Sequence, residues 1–182
     1  LPLPEWTAFV PAGAAALYAK AAAEGLLLDS AKFEVAVLTQ LRMQPPENFA
    51  QLRGISEGLE NRLYRASRTA KSPEALLADA KTKRYSHARL RRVLLAAMLG
   101  LPAGLSAAAP PYLRVLGFTP RGAEILSAAK ASRTLPLSPS LAELAQTGEA
   151  AARFAGLEAR AADLYHAFTP GLAPCGSEYT TP

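Results

Sequence analysis

An all-helical bundle of seven or eight helices is the architecture this sequence predicts, on three observations. Its apolar half is dominated by alanine and leucine with few β-branched residues, a balance that favours helix over strand. Apolar residues recur three and four apart along several stretches. Prolines, serines and glycines fall where helices start and stop. With 182 residues the chain fits one domain, and 50% apolar content is enough to bury a real core. Charged residues make up 19%, too few for a disordered polyampholyte.

Pro11–Gly25 is alanine-rich, opening on proline and closing on glycine. Asp29 or Ser30 caps a second helix that runs to Met43, with Phe33, Val37 and Leu41 four apart. Pro45-Pro46 ends it, and a short turn spans Asn48–Leu52. The next helix spans Ser56–Ala70, with Ile55, Leu59, Leu63, Ala66 and Ala70 on one face. Ser72-Pro73-Glu74 is a capped start for a helix ending near Lys81–Lys83. From Ser86, residues Leu90, Val93, Leu94, Ala97, Met98 and Leu101 make a continuous apolar stripe. Pro102, Gly104, Pro110 and Pro111 mark a connector, and Leu113–Phe118 reads as a short extended piece or a turn. Thr119-Pro120 opens a helix to Ala131, Leu135–Pro139 is loop, and Glu149–Phe168 is a last helix striped by Phe154, Leu157, Ala161, Leu164 and Tyr165. Residues 1–168 are thus read as one helical domain and 169–182 as a flexible tail.

Several classes of function are excluded or unsupported. One cysteine, Cys175, allows neither an internal disulfide nor a cysteine-rich zinc site, which suits a cytoplasmic protein. His87 and His166 are far apart in sequence, no glycine-rich phosphate loop occurs, and no serine sits in a G-x-S-x-G turn. The longest apolar run, Val93–Leu105, is too short to span a bilayer, so no membrane partner is expected. The start, Leu1-Pro2-Leu3-Pro4-Glu5, has neither a basic segment nor an initiator methionine, and a piece of a longer polypeptide is expected.

The net charge of +5 is unevenly placed. Between Arg53 and Arg92 stand 11 Lys/Arg against 4 Asp/Glu, a local net of +7 that leaves −2 for the rest of the chain. That asymmetry points to a polyanionic partner. Two stretches there are distinctive. In Glu57-Gly58-Leu59-Glu60-Asn61-Arg62, a glycine in a first helical turn marks either close approach of a backbone or ligand, or a tight helix start with both acids complementing the dipole. In Lys81-Thr82-Lys83-Arg84-Tyr85-Ser86-His87-Ala88-Arg89-Leu90-Arg91-Arg92, six cations and an aromatic straddle a helix start. Backbone N–H groups, the Ser86 hydroxyl and the basic side chains can meet phosphates there, and Tyr85 can stack on an unpaired base.

These two stretches, EGLENR and, about 20 residues on, KTKRYSHARLRR, resemble the C-terminal region of the tRNA(Met) cytidine acetate ligases. That family's second motif reads Lys-Thr-Lys-Arg-Tyr-Thr, two variable positions, then Arg-Leu. Lys81, Thr82, Lys83, Arg84, Tyr85, Arg89 and Leu90 match it, and Ser86 stands where threonine is usual. RVLGFTPRGAEIL, Arg114–Leu126, is similar to a third family segment, so the resemblance covers at least Ile55–Leu126. It implies an enzyme that uses ATP, with magnesium, to activate acetate as acetyl-adenylate and to acetylate the wobble cytidine of a tRNA. It also implies a preceding nucleotidyltransferase-like half with a histidine-x-glycine-histidine motif, which these residues lack.

The resulting expectation is a non-catalytic helical domain, inactive alone. Its partners are tRNA and the N-terminal nucleotidyltransferase-like domain of the same polypeptide. Lys81, Lys83, Arg84, Arg89 and Arg92 contact phosphates, Tyr85 stacks, and Glu57 and Arg62 serve supporting or interdomain roles. The alternatives are a structural or oligomerisation module, and a lid contributing to the ATP or adenylate site of the nucleotidyltransferase half. Basic side chains spread on one exposed face favour the first expectation, burial in ion pairs favours a structural module, and convergence of Glu57, Arg62 and Arg84 in a cleft favours a site.

Overall fold

A computed structural model describes residues 7–101, 103–107, 109–171 and 174–180. The sequence expectations for residues 1–5, for Pro102 and for 172, 173, 181 and 182 lie outside the described residues. The fold is an all-helical bundle. Seven helices of eight residues or more carry it among the described residues: α1 (Ala12–Ala23), α2 (Ser30–Met43), α4 (Leu59–Thr69), α5 (Pro73–Ala80), α6 (His87–Leu99), α7 (Pro120–Ala129) and α9 (Glu149–Ala167). Shorter helices are α3 (Pro46–Ala50), α8 (Leu141–Ala145) and α10 (Ser177–Thr180). Two-residue strands β1 (Leu113–Arg114) and β2 (Leu137–Ser138) pair in parallel, Leu113 opposite Leu137.

The helix starts expected from single polar residues are capped as those residues demand. The Asp29 carboxylate accepts from the Ala31 and Lys32 N–H groups, and the hydroxyls of Ser72, Ser86 and Thr119 accept from Ala75, Arg89 and Gly122. Each satisfies an N–H that the helix itself cannot.

A first core gathers α2 to α6 around Val37, Leu41, Phe49, Leu59, Leu63, Leu76, Leu90 and Val93, all almost fully buried. Two arginines fasten α2 to α4 reciprocally. Arg42, near the end of α2, donates to the carbonyls of Ser67 and Ala70 at the end of α4, while Arg68 of α4 donates to the Leu41, Arg42 and Gln44 carbonyls. Two negative helix ends lie side by side, and each receives a cation from the other.

A second, smaller core joins Tyr112, Leu141, Leu144, Ala151, Ala155 and Ala159. Here α9 differs from the expected stripe. It buries alanines four apart, whereas Phe154 is only partly buried, Ala161 and Tyr165 are exposed, and Leu157 and Leu164 face grooves. Alanine lets α8 and α9 approach closely, so the small face wins the core over the bulky one. The expected tail is also partly structured. Ser177–Thr180 is a helical turn, Gly176 N–H donates to Asp163, and Glu178 pairs with Arg114 at 2.7 Å. The two cores meet where α9 crosses α6: Arg160 of α9 donates to the Leu99 carbonyl at the end of α6, at 3.0 Å.

Candidate functional site

The two singled-out motifs fold into one interlocked structure. The connection from Arg53 to Gly58 enters α4 through three left-handed residues, Gly54 at φ 90°, Glu57 at φ 53° and Gly58 at φ 80°. Gly58 therefore stands before the helix, as its N-cap, rather than in its first turn. A Cβ on Gly58 would meet nothing within 4 Å, so the dihedral angle, not a close neighbour, is what asks for glycine. Gly54 answers to both, because a Cβ there would lie 3.1 Å from Val93 Cγ2 on α6. Glu57 has no such freedom: a side chain in this region costs about 1–2 kcal/mol.

The KTKRYSHARL segment holds that loop in place. The Tyr85 hydroxyl donates to the carbonyls of Ser56 at 2.8 Å and Glu57 at 3.2 Å. Arg89 donates to the Gly54 carbonyl through Nε and Nη2, at 3.3 and 3.0 Å, and to the Ser56 hydroxyl at 2.8 Å. Its guanidinium lies 5.2 Å from the centre of the Tyr85 ring, a cation–π contact that aligns the two. Arg84 pairs with the Glu57 carboxylate. The Thr82 hydroxyl accepts from the Arg84 and Tyr85 N–H groups and turns the chain into this position.

Tyr85 is 4% exposed and both ends of its side chain are committed inside the protein, so its ring offers no free face to an unpaired base. Arg84 and Arg89 are engaged by the loop. The side chains of Lys81, Lys83 and Arg92 are exposed, with no side-chain hydrogen bond or ion pair among the described residues. Arg62 points along α4 to the Asp79 carbonyl at 3.0 Å, while its Nε is buried without an acceptor. Glu57 and Arg84 thus meet directly, and Arg62 joins the neighbouring end of α5 instead.

Beside the loop lies a cavity of about 530 Å³, walled by Arg53, Arg89 and Arg92 and floored by apolar residues of α6, among them Val93, Ala96 and Leu99. A larger groove of about 720 Å³ runs between α2 and α9, but Lys32 is the only charged residue in its lining and it contains neither motif. Arginines line other cavities too, Arg153 and Arg160 one of about 550 Å³ and Arg62 and Arg65 one of about 310 Å³. The cavity of about 530 Å³ is the one that Gly54 and Arg89 of the interlocked loop line. Its three arginines beside an apolar floor suit a planar ring bearing an anionic group. Sequence reasoning missed Arg53 and Gly54 as parts of it. The available signal was the pair Gly54 and Gly58 in the short stretch between two helices, a turn signature that the charge pattern overshadowed.

Comparison with known proteins bears on this geometry. The family model described as HIGH Nucleotidyl Transferase matches residues 3–177. The chain belongs to that family. Among curated relatives, the tRNA(Met) cytidine acetate ligase of Acetivibrio thermocellus is 32% identical over 156 residues, 81% of this chain and 38% of that protein. The Syntrophomonas wolfei ligase of the same name is 31% identical, again over 81% of this chain and 38% of the relative. The fold is shared with the crystal structure of Thermotoga maritima TmcAL bound with alpha-thio ATP, with a TM-score of 0.83 and 23% identity over 94% of this chain and 45% of that one. The chain therefore spans about two fifths of the length of the curated relatives it matches.

The expectation of a non-catalytic domain binding tRNA through a free basic helix is corrected by these findings. A nucleotidyl transferase model that takes in nearly the whole chain makes this region part of the enzyme family proper, not an appendage to it. The physical source of the error is visible in the site. Charge counting treats every cation alike, yet Arg89 is committed to the strained loop and Tyr85 is buried against it, while Arg84 pairs with Glu57 and stays largely exposed. Among the described residues, no helix is long and apolar enough to cross a membrane.

Proposed function

We propose that this member of the HIGH nucleotidyl transferase family is the helical region of a tRNA(Met) cytidine acetate ligase, following the nucleotidyltransferase half in sequence, and that it closes over that half's ATP and adenylate site. One observation carries the reading: a loop held in left-handed conformation by Arg84, Tyr85 and Arg89 stands at the rim of an arginine-walled cavity of about 530 Å³. That volume is in the range of small-ligand sites. The apolar floor on α6 suits an adenine ring, and Arg53 and Arg92 face the phosphates. Arg89 is positioned rather than free, and its bonds to Gly54 and Ser56 keep the rim in shape while the nucleotide binds. ATP arrives with magnesium, and the nucleotidyltransferase half supplies the adenylation chemistry. The tRNA that accepts the acetyl group approaches the same side, where the exposed Lys81 and Lys83 meet its phosphates.

The test uses the full-length gene product. Arg92→Ala should weaken alpha-thio ATP binding by about 10-fold or more, the usual size of a lost charge-assisted contact, and lower acetate-dependent pyrophosphate release with it. Arg153→Ala, which lines a different cavity, should leave both unchanged. Wild-type nucleotide affinity in Arg92→Ala and in Arg53→Ala alike would remove the cavity from the site.

A further inference from the structure

The third family-like segment, Arg114–Leu126, takes no part in the site described above, and its apolar residues are not in either core. Leu116 is 86% exposed, Phe118 63% and Ile125 61%, and α7 has no buried residue. The exposure is built in. Thr119 caps α7 by accepting from the Gly122 N–H at 3.2 Å, and Gly122 lets the chain ahead of the helix pass close, since a Cβ there would stand 3.1 Å from the Phe118 Cβ. Helices shorter than about 12–15 residues are marginal in water and draw most of their stability from packing an apolar face. Ten residues with no buried side chain leave α7 short of that packing within the described residues.

We infer that the face formed by Leu116, Phe118 and Ile125 docks onto the nucleotidyltransferase half of the same polypeptide. This rests on the reading above that the chain is one part of a longer ligase. The length outside the shared region is large enough: the likeness to TmcAL covers 94% of this chain but only 45% of that one. The area argues against a second copy as the occupant. A stable dimer buries about 800 Å² and 20–30 residues on each partner, more residues than Leu113–Ala129 offers. A tethered partner needs far less, because linkage supplies an effective concentration of about millimolar before any contact forms.

Phe118 and Ile125 are each replaced by p-benzoyl-phenylalanine in the full-length gene product, with the same photoprobe at Glu47 on α3 as control. Equal amounts of isotopically heavy and light protein are mixed, irradiated and digested, and the crosslinked peptides are identified by mass. The expected result is light–light and heavy–heavy crosslinks from 118 and 125 to residues preceding Leu1, and none from position 47. Heavy–light hybrids, crosslinks confined to residues 1–182, or no crosslinks would each overturn the docking. Loss of nucleotide binding in Arg92→Ala together with failed crosslinks overturns the docking alone. Crosslinks to the preceding half together with an inert Arg92→Ala overturn the cavity alone. A gene encoding no nucleotidyltransferase half overturns both.

Discussion

Between Ser30 and Leu99, the side chains that lock the core give most of their hydrogen bonds to backbone carbonyls. Arg42, Arg62, Arg68, Tyr85 and Arg89 all do so. Between Tyr112 and Thr180 carbonyls are used as well, by Arg160 and Tyr165 for example, but several of the corresponding bonds go to carboxylates: Tyr112 to Glu158 at 2.6 Å, Arg114 to Glu158 and Glu178, Ser138 to Glu143 at 2.6 Å. The first region fixes the shape of its backbone, including a strained loop, mainly by side chains that donate to main-chain carbonyls. The second also ties distant elements together through charge, which suits a smaller core in which half of the buried residues are alanine. A site that must keep one geometry is better carried by the first kind of construction.

The largest effect should come from testing whether the regions are separable. Phe49 is fully buried and meets Tyr64 edge to face, with ring centres 5.5 Å apart. Phe49→Ala should cost about 3–5 kcal/mol and abolish amide protection throughout α4 and α6. Leu141→Ala, at an equally buried position, should cost about 2–5 kcal/mol but lower protection mainly in α8 and α9. Hydrogen exchange with mass spectrometry reads both. Equal loss of protection in α4 and α6 in the two variants would mean one cooperative unit, and the contrast between regions would lose its energetic meaning.

A smaller effect separates the regions by pH. Burial, and then the hydrogen bond to Glu158 and its charge, hold the Tyr112 hydroxyl well above its ordinary value of 10.0. A folded-state value raised above the unfolded one favours the protonated form. The stabilisation is therefore complete below about pH 10 and is lost as pH rises from there toward the folded value. Arg114 stays charged across this range; its burial opposes the charge, but the Glu178 and Glu158 partners outweigh that and shift it upward. Alkaline titration followed by exchange should loosen β1, α9 and α10 before α4 and α6. In Tyr112→Phe the same region should start less stable and lose less between pH 9 and pH 11. An unchanged alkaline response in that variant would take Tyr112 out of the account.

Much of the fold was legible because helix signals are local. Ser72, Ser86 and Thr119 cap helices where the sequence places them, and the stripe Leu59, Leu63, Ala66, Ala70 is the buried face of α4 and the residue after it. Choices between faces were less legible. In α9 the bulky stripe lost to Ala151, Ala155 and Ala159, because close packing against α8 is a property of the pair of helices, not of one. The short strand pair was hidden for the same reason: Leu137–Ser138 reads as proline-punctuated loop until β1 lies beside it. In the site, the residues were legible and their partners were not. Glu57, Arg84, Tyr85 and Arg89 all stood out, but charge and aromaticity suggested an external ligand, whereas a left-handed Glu57 is an internal demand visible only in the dihedral angles.

The smallest expected effect sharpens that last point. Glu57 bears a strain of about 1–2 kcal/mol at φ 53°. Its pair with Arg84 is well exposed, with side-chain accessibilities of 62% and 75%, and returns at most about 1 kcal/mol. Glu57→Ala keeps the strain and loses the pair, so it should destabilise by up to about 1 kcal/mol. Glu57→Gly also loses the pair but removes the strain, offset in part by the roughly 0.5–1 kcal/mol that glycine's extra freedom in the unfolded chain costs. The glycine variant should therefore be more stable than the alanine variant, by about 0.5–1 kcal/mol in urea denaturation. Tyr85→Phe supplies the second side of the cycle. It removes both hydroxyl bonds to the loop and should cost about 0.5–1.5 kcal/mol in the wild-type background. With Gly at position 57 the loop no longer needs to be held against strain, so the same change should cost less. A coupling of about 0.5 kcal/mol or more between the two positions identifies the tyrosine as the restraint on a strained residue. Strict additivity, or an alanine variant as stable as the glycine one, would mean that residue 57 relaxes freely and that the clamp has nothing to hold.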